Sequence, residues 1–331
     1  MYHRSVSRSA WLGVGLLLCL WAVPRSVVAQ AEGARAEAAQ ADGAQPEGAA
    51  EPGAETPVEG RHCVGQARPA WVLHQLLVAQ INPGGVENSM RAGLCLPLFT
   101  EPHILLAYSS LEVGAISYLS PAYKELGGYL QVTPVSPLQL RAELGGVVIW
   151  PFPFPRAGYF GLSGYDADFQ SDALPKGEAR SATGWNLNLI AILRFRAPRN
   201  SAIQVFGFSM LSAERWVIGD QGFYFNLRRD LPLARADWVV ANEALLGFEL
   251  PFSGELRIRI GAFDSFRHVP AADYTGNQVG IFAMLWHPAP TGALRDLSPF
   301  LRLGIHTHHA FRAGTPALLA GTFVSYDLGG L

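Results

Sequence analysis

The densest group of titratable side chains in the sequence is His306-Thr307-His308-His309. On an extended strand, His306 and His308 project to one side together with Arg302, and His309 projects to the other. Two imidazoles spaced this way could hold a transition metal if a neighbouring strand supplied carboxylates. They could equally line a wet interior or sit near the rim. Either histidine could instead serve as the base of an acyl hydrolase, with Ser325 or Asp327 on the next strand. No Gly-x-Ser-x-Gly motif supports that chemistry, and Gly161-Leu162-Ser163-Gly164 lies in a loop without a base nearby. Further along the same loop, 151–182, Asp166, Asp168, Gln170 and Asp172 alternate like the start of a calcium loop. Ser171 stands where that loop needs glycine, and Gly177 where it needs the chelating glutamate. The sequence therefore assigns no catalytic residue, metal ligand or cofactor.

The elements that carry these residues read as strands. Along Trp185–Ala197, Trp185, Leu187, Leu189, Ala191, Leu193 and Phe195 alternate with Asn186, Asn188, Ile190, Ile192, Arg194 and Arg196. The same period of two runs through Leu138–Leu144, Glu255–Ile260 and Leu301–His308. After the N-terminal segment no stretch is apolar for long enough to make a membrane-spanning helix. Lysine is nearly absent, at Lys124 and Lys176, and the polar faces hold Arg, Glu, Asn, Gln and glycine. Such strands fit a wall between lipid and a polar interior, which must close on itself because lipid cannot satisfy a free sheet edge.

The expected fold is all-β, a transmembrane antiparallel up-and-down β-barrel of about twelve strands. The expected spans are 70–82, 88–99, 104–119, 124–134, 137–150, 183–197, 201–227, 236–250, 255–267, 276–287, 298–310 and 316–328. Of these, 70–82 is the least regular and can also be read as a helix or plug segment. Span 201–227 is taken as one long strand rather than two split at Gly219-Asp220. The final segment has an apolar face of Leu318, Ala320, Thr322, Val324, Tyr326 and Leu328, as barrels commonly show at their C-terminus.

Composition agrees with that reading. The chain is 49% hydrophobic but only 16% charged, with 35 Gly and 23 Pro. Twenty-five Lys+Arg against 27 Asp+Glu leave no basic surplus for nucleic acid. Residues 1–30 read as a secretory signal peptide, with Arg4 and Arg8 before an apolar core. Residues 31–62 read as a disordered acidic periplasmic linker, and 63–331 as the barrel. Cys63 and Cys95 remain after export; they could pair or stand independently.

The run Ile81-Asn82-Pro83-Gly84-Gly85-Val86-Glu87-Asn88, followed by Arg91, Leu94 and Ser120-Pro121-Ala122-Tyr123, resembles uncharacterised outer-membrane proteins of myxobacterial type. The resemblance is one of barrel strands and implies no activity.

The interior is the place to look for function. Its expected lining is Arg141, Glu143, Asn186, Asn188, Arg194, Arg196, Glu243, Glu249, Arg257, Arg259, Arg302, His306 and His308. The arginine excess mildly favours anionic solutes if the pore is open. The surface-loop candidates are Trp150, Phe152, Phe154, Tyr159, Asp166 and Asp168, an aromatic, proline-stiffened rim followed by an acidic stretch. A passive channel or transporter for a small or apolar solute is the leading expectation. A lipid-modifying enzyme and a plugged structural barrel are the alternatives. The expected setting is a Gram-negative outer membrane, with lipid, lipopolysaccharide and the barrel-assembly machinery as partners. Oligomeric state stays open.

Overall fold

A computed structural model describes residue 63 and, with short gaps, residues 68–330. The signal and linker expected over 1–62 lie outside the described residues. The strands, in chain order, are β1 (Ala70–Ile81), β2 (Gly85–Pro97), β3 (Ser110–Leu119), β4 (Tyr123–Val135), β5 (Leu138–Ile149), β6 (Gly161–Leu162), β7 (Ala182–Arg196) and β8 (Gln204–Ile218). They continue with β9 (Phe223–Asn226), β10 (Leu231–Ala234), β11 (Ala236–Ser253), β12 (Leu256–Val269), β13 (Tyr274–Trp286), β14 (Leu294–His308) and β15 (Pro316–Gly330). Twelve of them form one closed antiparallel barrel in the order β1-β15-β14-β13-β12-β11-β8-β7-β5-β4-β3-β2. Each pairs with its neighbours in the chain, and β1 with β15 closes the ring from Ala70↔Gly330 to Ile81↔Leu318. The segment 70–82 is therefore a full wall strand.

Alternation sorts the side chains as the period of two requires. In β7, Asn186, Asn188, Ile190 and Ile192 are buried, whereas Trp185 and Leu189 are exposed. Around the ring the outward positions include Leu77, Met90, Val113, Leu126, Leu144, Leu211, Leu246, Ile281 and Leu303, all exposed. An exposed apolar belt on every wall strand, around a polar interior, is the arrangement of a membrane-spanning outer-membrane barrel. Two pairs of polar residues on the outer face bond across strands. Gln75 donates to Asn88 at 3.0 Å, and Asn242 donates to Ser209 at 3.1 Å, so each meets a need that lipid cannot.

The span expected over 104–119 begins only at Ser110, after a turn over 105–108, and a second element departs further from the expected course. The wall strand taken to run over 201–227 ends at Ile218, and Gly219 follows with φ of +65°. A Cβ there would also lie 2.3 Å from the Tyr159 hydroxyl oxygen, so glycine suits the turn on both counts. Beyond it, β9 and β10 pair as a hairpin, Leu231↔Asn226 to Ala234↔Phe223, and β6 joins the edge of β9. This three-stranded sheet is separate from the wall. Its side chains Tyr224, Leu231 and Leu233 share one buried cluster with Ile116, Tyr118, Tyr129, Val147, Ile149, Trp216, Ile218, Val239 and Val269 of the wall. Those wall residues point inward, so the hairpin is folded into the barrel. We call this the loop end, because it carries connections 150–181 and 219–235. The opposite, turn end holds Cys63, which is buried and bonded to Cys95 on β2.

Candidate functional site

The β9–β10 connection is Leu227-Arg228-Arg229-Asp230, and it meets wall strands from nearly opposite sides of the ring. Arg228 donates from Nε to Glu87 on β2 at 3.1 Å and from Nη1 to Glu125 on β4 at 3.0 Å. Its guanidinium carbon lies 3.6 Å from the centre of the Tyr118 ring. Arg229 donates from Nε to Glu214 on β8 at 2.7 Å, with a second contact through Nη2. Arg267 on β12 donates to the Arg229 carbonyl at 3.1 Å. Asp230 accepts two hydrogen bonds from Arg312, at 3.0 and 3.1 Å, and lies 3.2 Å from His309 Nε2. Every charge on the tip thus faces an opposite charge contributed from outside the hairpin.

Burial tends to raise the Asp230 carboxyl pKa. The hydrogen bonds from His309 and Arg312, with the Arg312 charge, outweigh that and hold it below its ordinary value. A further contact ties the 150–181 connection to the wall: Tyr165 donates to Asp237 on β11 at 2.7 Å. Burial first and this carboxylate second push the Tyr165 hydroxyl up to about 12.

The wall carboxylates have partners of their own. Tyr123 donates to Glu87, Asn186 Nδ2 donates to Glu125 at 3.3 Å, and Trp216 Nε1 donates to Glu214 at 2.9 Å. Gly145 permits one of these positions, because a Cβ there would lie 2.8 Å from Glu125 Cγ. Below the hairpin the lumen is crossed by side chains. Arg141 pairs with Glu143 at 2.6 Å, and Asn188 donates to the same carboxylate at 3.3 Å. Arg196 and Arg259 share Glu249 and lie over Trp286, at 5.2 and 4.0 Å from the ring centre. Arg302 donates to Glu243 at 2.9 Å above the Phe263 ring. Arg194 donates to Gln139, and Arg257 sits in register with Pro251 and Trp286 on the same side of the sheet as Arg259. A cavity of about 40 Å³ bordered by Glu243, Arg267, Gln278 and Arg302 has room for little more than water.

The histidine cluster divides. His306 is buried, with Nε2 3.0 Å from the Gln278 amide and 3.1 Å from the Asn82 carbonyl. His308 departs from the expected lining. A register shift between Asn277 and Gln278 sets it opposite Asn277, and it is exposed. Ser325 and Asp327 lie at the other end of the barrel from His306, so the expected hydrolase grouping does not form. Ser325 instead meets His74 Nδ1 at 3.0 Å, and His74 Nε2 lies 3.7 Å from Glu112. The sequence does not reveal this row, because its members come from β15, β1 and β3. Ser325 is buried on the inner face of the wall, and the row links β15, β1 and β3 across the seam. Among the described residues no group of three His, Cys, Asp or Glu could hold a metal ion.

The loop candidates also separate. Trp150 bonds through its backbone to Ala122, and Phe152 bridges to Ala157 at the rim. Tyr159 is not at the surface. It packs beside Tyr224 at 5.5 Å between ring centres, and its hydroxyl accepts from the Gln221 amide at 3.1 Å. Asp166 and Asp168 are exposed, and Asp168 accepts from the Gln170 amide at 2.9 Å. Phe154 lies outside the described residues. The residues that sequence reasoning missed are Glu87, Glu125, Glu214, Arg228, Arg229 and Asp230. The signal for them was the charged Arg228-Arg229-Asp230 between two apolar triplets, Phe223-Tyr224-Phe225 and Leu231-Pro232-Leu233, which is a hairpin pattern.

No protein-family model matches the chain, and no curated protein matches it either. Among solved structures, the β domain of the Bordetella autotransporter BrkA is 12% identical, with a TM-score of 0.40; the match covers 78% of this chain and 100% of that one. Pseudomonas aeruginosa OprD matches at 9% identity and a TM-score of 0.27, covering 79% of this chain and 94% of that one. The CymD monoaromatic hydrocarbon channel matches at 10% identity and a TM-score of 0.27, covering 80% and 90%. At these values none of them bears on what this barrel does.

Proposed function

We propose that the chain is a gated outer-membrane channel for small solutes, held closed by the β9–β10 hairpin. The observation that supports it most is the tip itself. The obstruction in the mouth is a small sheet in which β9 and β10, from the loop between two adjacent wall strands, are joined by β6 of the 150–181 connection. The charged β9–β10 connection is held by ion pairs and hydrogen bonds. Such contacts can be exchanged for water or solute without breaking the wall. Below the apolar collar that receives the hairpin, a lumen lined with Arg, Glu, Asn and Gln suits aqueous passage once the hairpin has moved.

A second reading, a permanently plugged structural barrel, draws on the packing of Tyr224, Leu231 and Leu233 into the buried cluster. Single-channel recording separates the two. The intact protein is expected to be mostly silent in planar bilayers. A variant with residues 223–234 replaced by a short Gly/Ser link is expected to conduct in steady, larger steps. A link variant that inserts, resists heat like the parent and stays silent would remove the channel reading.

In this reading the loop end faces outward, the N-terminal segment lies in the periplasm, and lipid, lipopolysaccharide and the assembly machinery are the partners. The residues around Ile81–Asn88 support placing the chain with envelope barrels of myxobacterial type. The lining set of Arg141, Glu143, Asn186, Asn188, Arg194, Arg196, Arg257, Arg259, Arg302 and His306 is the path the solute would follow.

A further inference from the structure

Arg228 occupies a site built wholly by the wall. Two carboxylates, Glu87 and Glu125, take its Nε and Nη1, and the face of Tyr118 lies against its guanidinium plane. None of the three depends on the hairpin for its position. Glu87 accepts from Tyr123, Glu125 accepts from Asn186, and the Tyr118 hydroxyl donates to Glu143 at 2.8 Å. A pair of fixed carboxylates beside an aromatic face is the chemistry that recognises guanidinium and ammonium groups. Across the ring, Glu214 is held by Trp216 and takes Arg229.

Withdrawal of the hairpin therefore leaves Glu87, Glu125 and Glu214 without their counter-charges but still in place. It also takes Asp230 away from Arg312, so three carboxylates face one freed guanidinium at this mouth. Three carboxylates held close together around the opened mouth give it a negative field, which draws cations from solution. The arginines further down do not offset that field freely. Arg141 is paired with Glu143, Arg196 and Arg259 with Glu249, and Arg302 with Glu243. Arg141 and Arg302 are thus matched one to one by carboxylates, whereas Arg196 and Arg259 share Glu249 and Arg194 meets Gln139. The arginine excess therefore lies below the mouth, and an entering solute meets Glu87 and Glu125 first.

We propose that the open barrel selects organic cations, with a guanidinium or primary ammonium group of the solute taking the place of Arg228 between Glu87, Glu125 and Tyr118. Passage of that solute rests on the channel reading; its binding does not.

The test uses agmatine, which carries one guanidinium and one ammonium group, as the probe, and glutamate as the control. In the 223–234 link variant, reversal potentials in a KCl gradient are expected to show potassium favoured several-fold over chloride. Millimolar agmatine is expected to block the current in a concentration-dependent way, and glutamate is not. Adding Glu87→Gln and Glu125→Gln should weaken the block at least tenfold and bring the ion selectivity towards unity. A conducting variant that prefers chloride, or whose agmatine block ignores the two substitutions, overturns the proposal while leaving the channel reading intact.

If the link variant is silent or does not fold, calorimetric titration of the full chain carrying Arg228→Ala decides the matter. Saturable agmatine binding that the two glutamine substitutions abolish supports the site. Absence of binding, or binding indifferent to them, overturns it.

Discussion

The two ends of the lumen are filled in different ways by the same kind of wall. At the loop end, the wall presents carboxylates and apolar side chains inward, and a separate hairpin supplies the arginines that neutralise them. At the turn end, arginine and glutamate both come from wall strands, as in Arg196–Glu249–Arg259 and Arg141–Glu143. Charges of the second kind cannot part unless the barrel deforms. Charges of the first kind can part when one loop moves. The contrast teaches that closure of this barrel is concentrated in the loops of one end, the hairpin and the β6 segment paired to it, and the other end acts as a rigid frame.

The most forceful way to break the contrast is to remove a tip arginine. Arg229→Ala leaves fully buried Glu214 without its cation and should cost the closed form about 3–5 kcal/mol. Proteolysis within 219–235 and open-channel probability should both rise, and melting of the wall should change little. An unchanged cleavage rate would show that apolar packing alone holds the hairpin.

The complementary change is at the turn end. Cys63→Ser removes the bond to Cys95 across a sequence separation of 32 and should cost about 3–4 kcal/mol. Its effect should appear as a lower unfolding temperature in detergent, with the hairpin as protease-resistant as before. Coupled loss of both properties would mean that the two ends are not independent.

Acid gives a smaller and graded effect. The Asp230 pKa is lowered on folding, so its contribution is complete above the ordinary carboxylate value and is lost as pH falls through the depressed one. Hairpin release should therefore increase below about pH 4. Asp230→Asn should flatten this pH dependence, and an unchanged profile in that variant would place the sensitivity elsewhere.

Smallest is the turn that begins the excursion. Gly219→Ala should cost about 1–2 kcal/mol from the left-handed backbone alone, plus whatever Tyr159 must give to admit the methyl group. It should loosen the hairpin without affecting the turn end. Hydrogen exchange of the 223–234 amides measures it directly.

Much of this architecture can be read from the residues. Alternation in 185–196 is enough to separate Asn186 and Asn188 from Trp185 and Leu189, because the strand period leaves no other arrangement. What escapes is pairing. Glu87, Glu125 and Glu214 look like ordinary lining residues until Arg228 and Arg229 are placed, and those two are hidden when 201–227 is read as a single wall strand. Apolar Phe223-Tyr224-Phe225 looks the same whether it faces lipid or folds inward. Only Gly219 and the charged tip argue for the turn. His308 shows the limit of simple alternation, because one register shift moves it out of the set to which His306 belongs.

The row Ser325–His74–Glu112 has a consequence for how the barrel comes to be closed. It joins the last strand to the first and reaches on to the third, so it cannot exist until the ends of the chain have met. A slip of one residue at the β1–β15 seam would turn Ser325 towards lipid and leave the imidazole without it. The last joint to form is thus also one that can tell a correct register from a neighbouring one, and the side chains that look most like catalysts serve as its gauge.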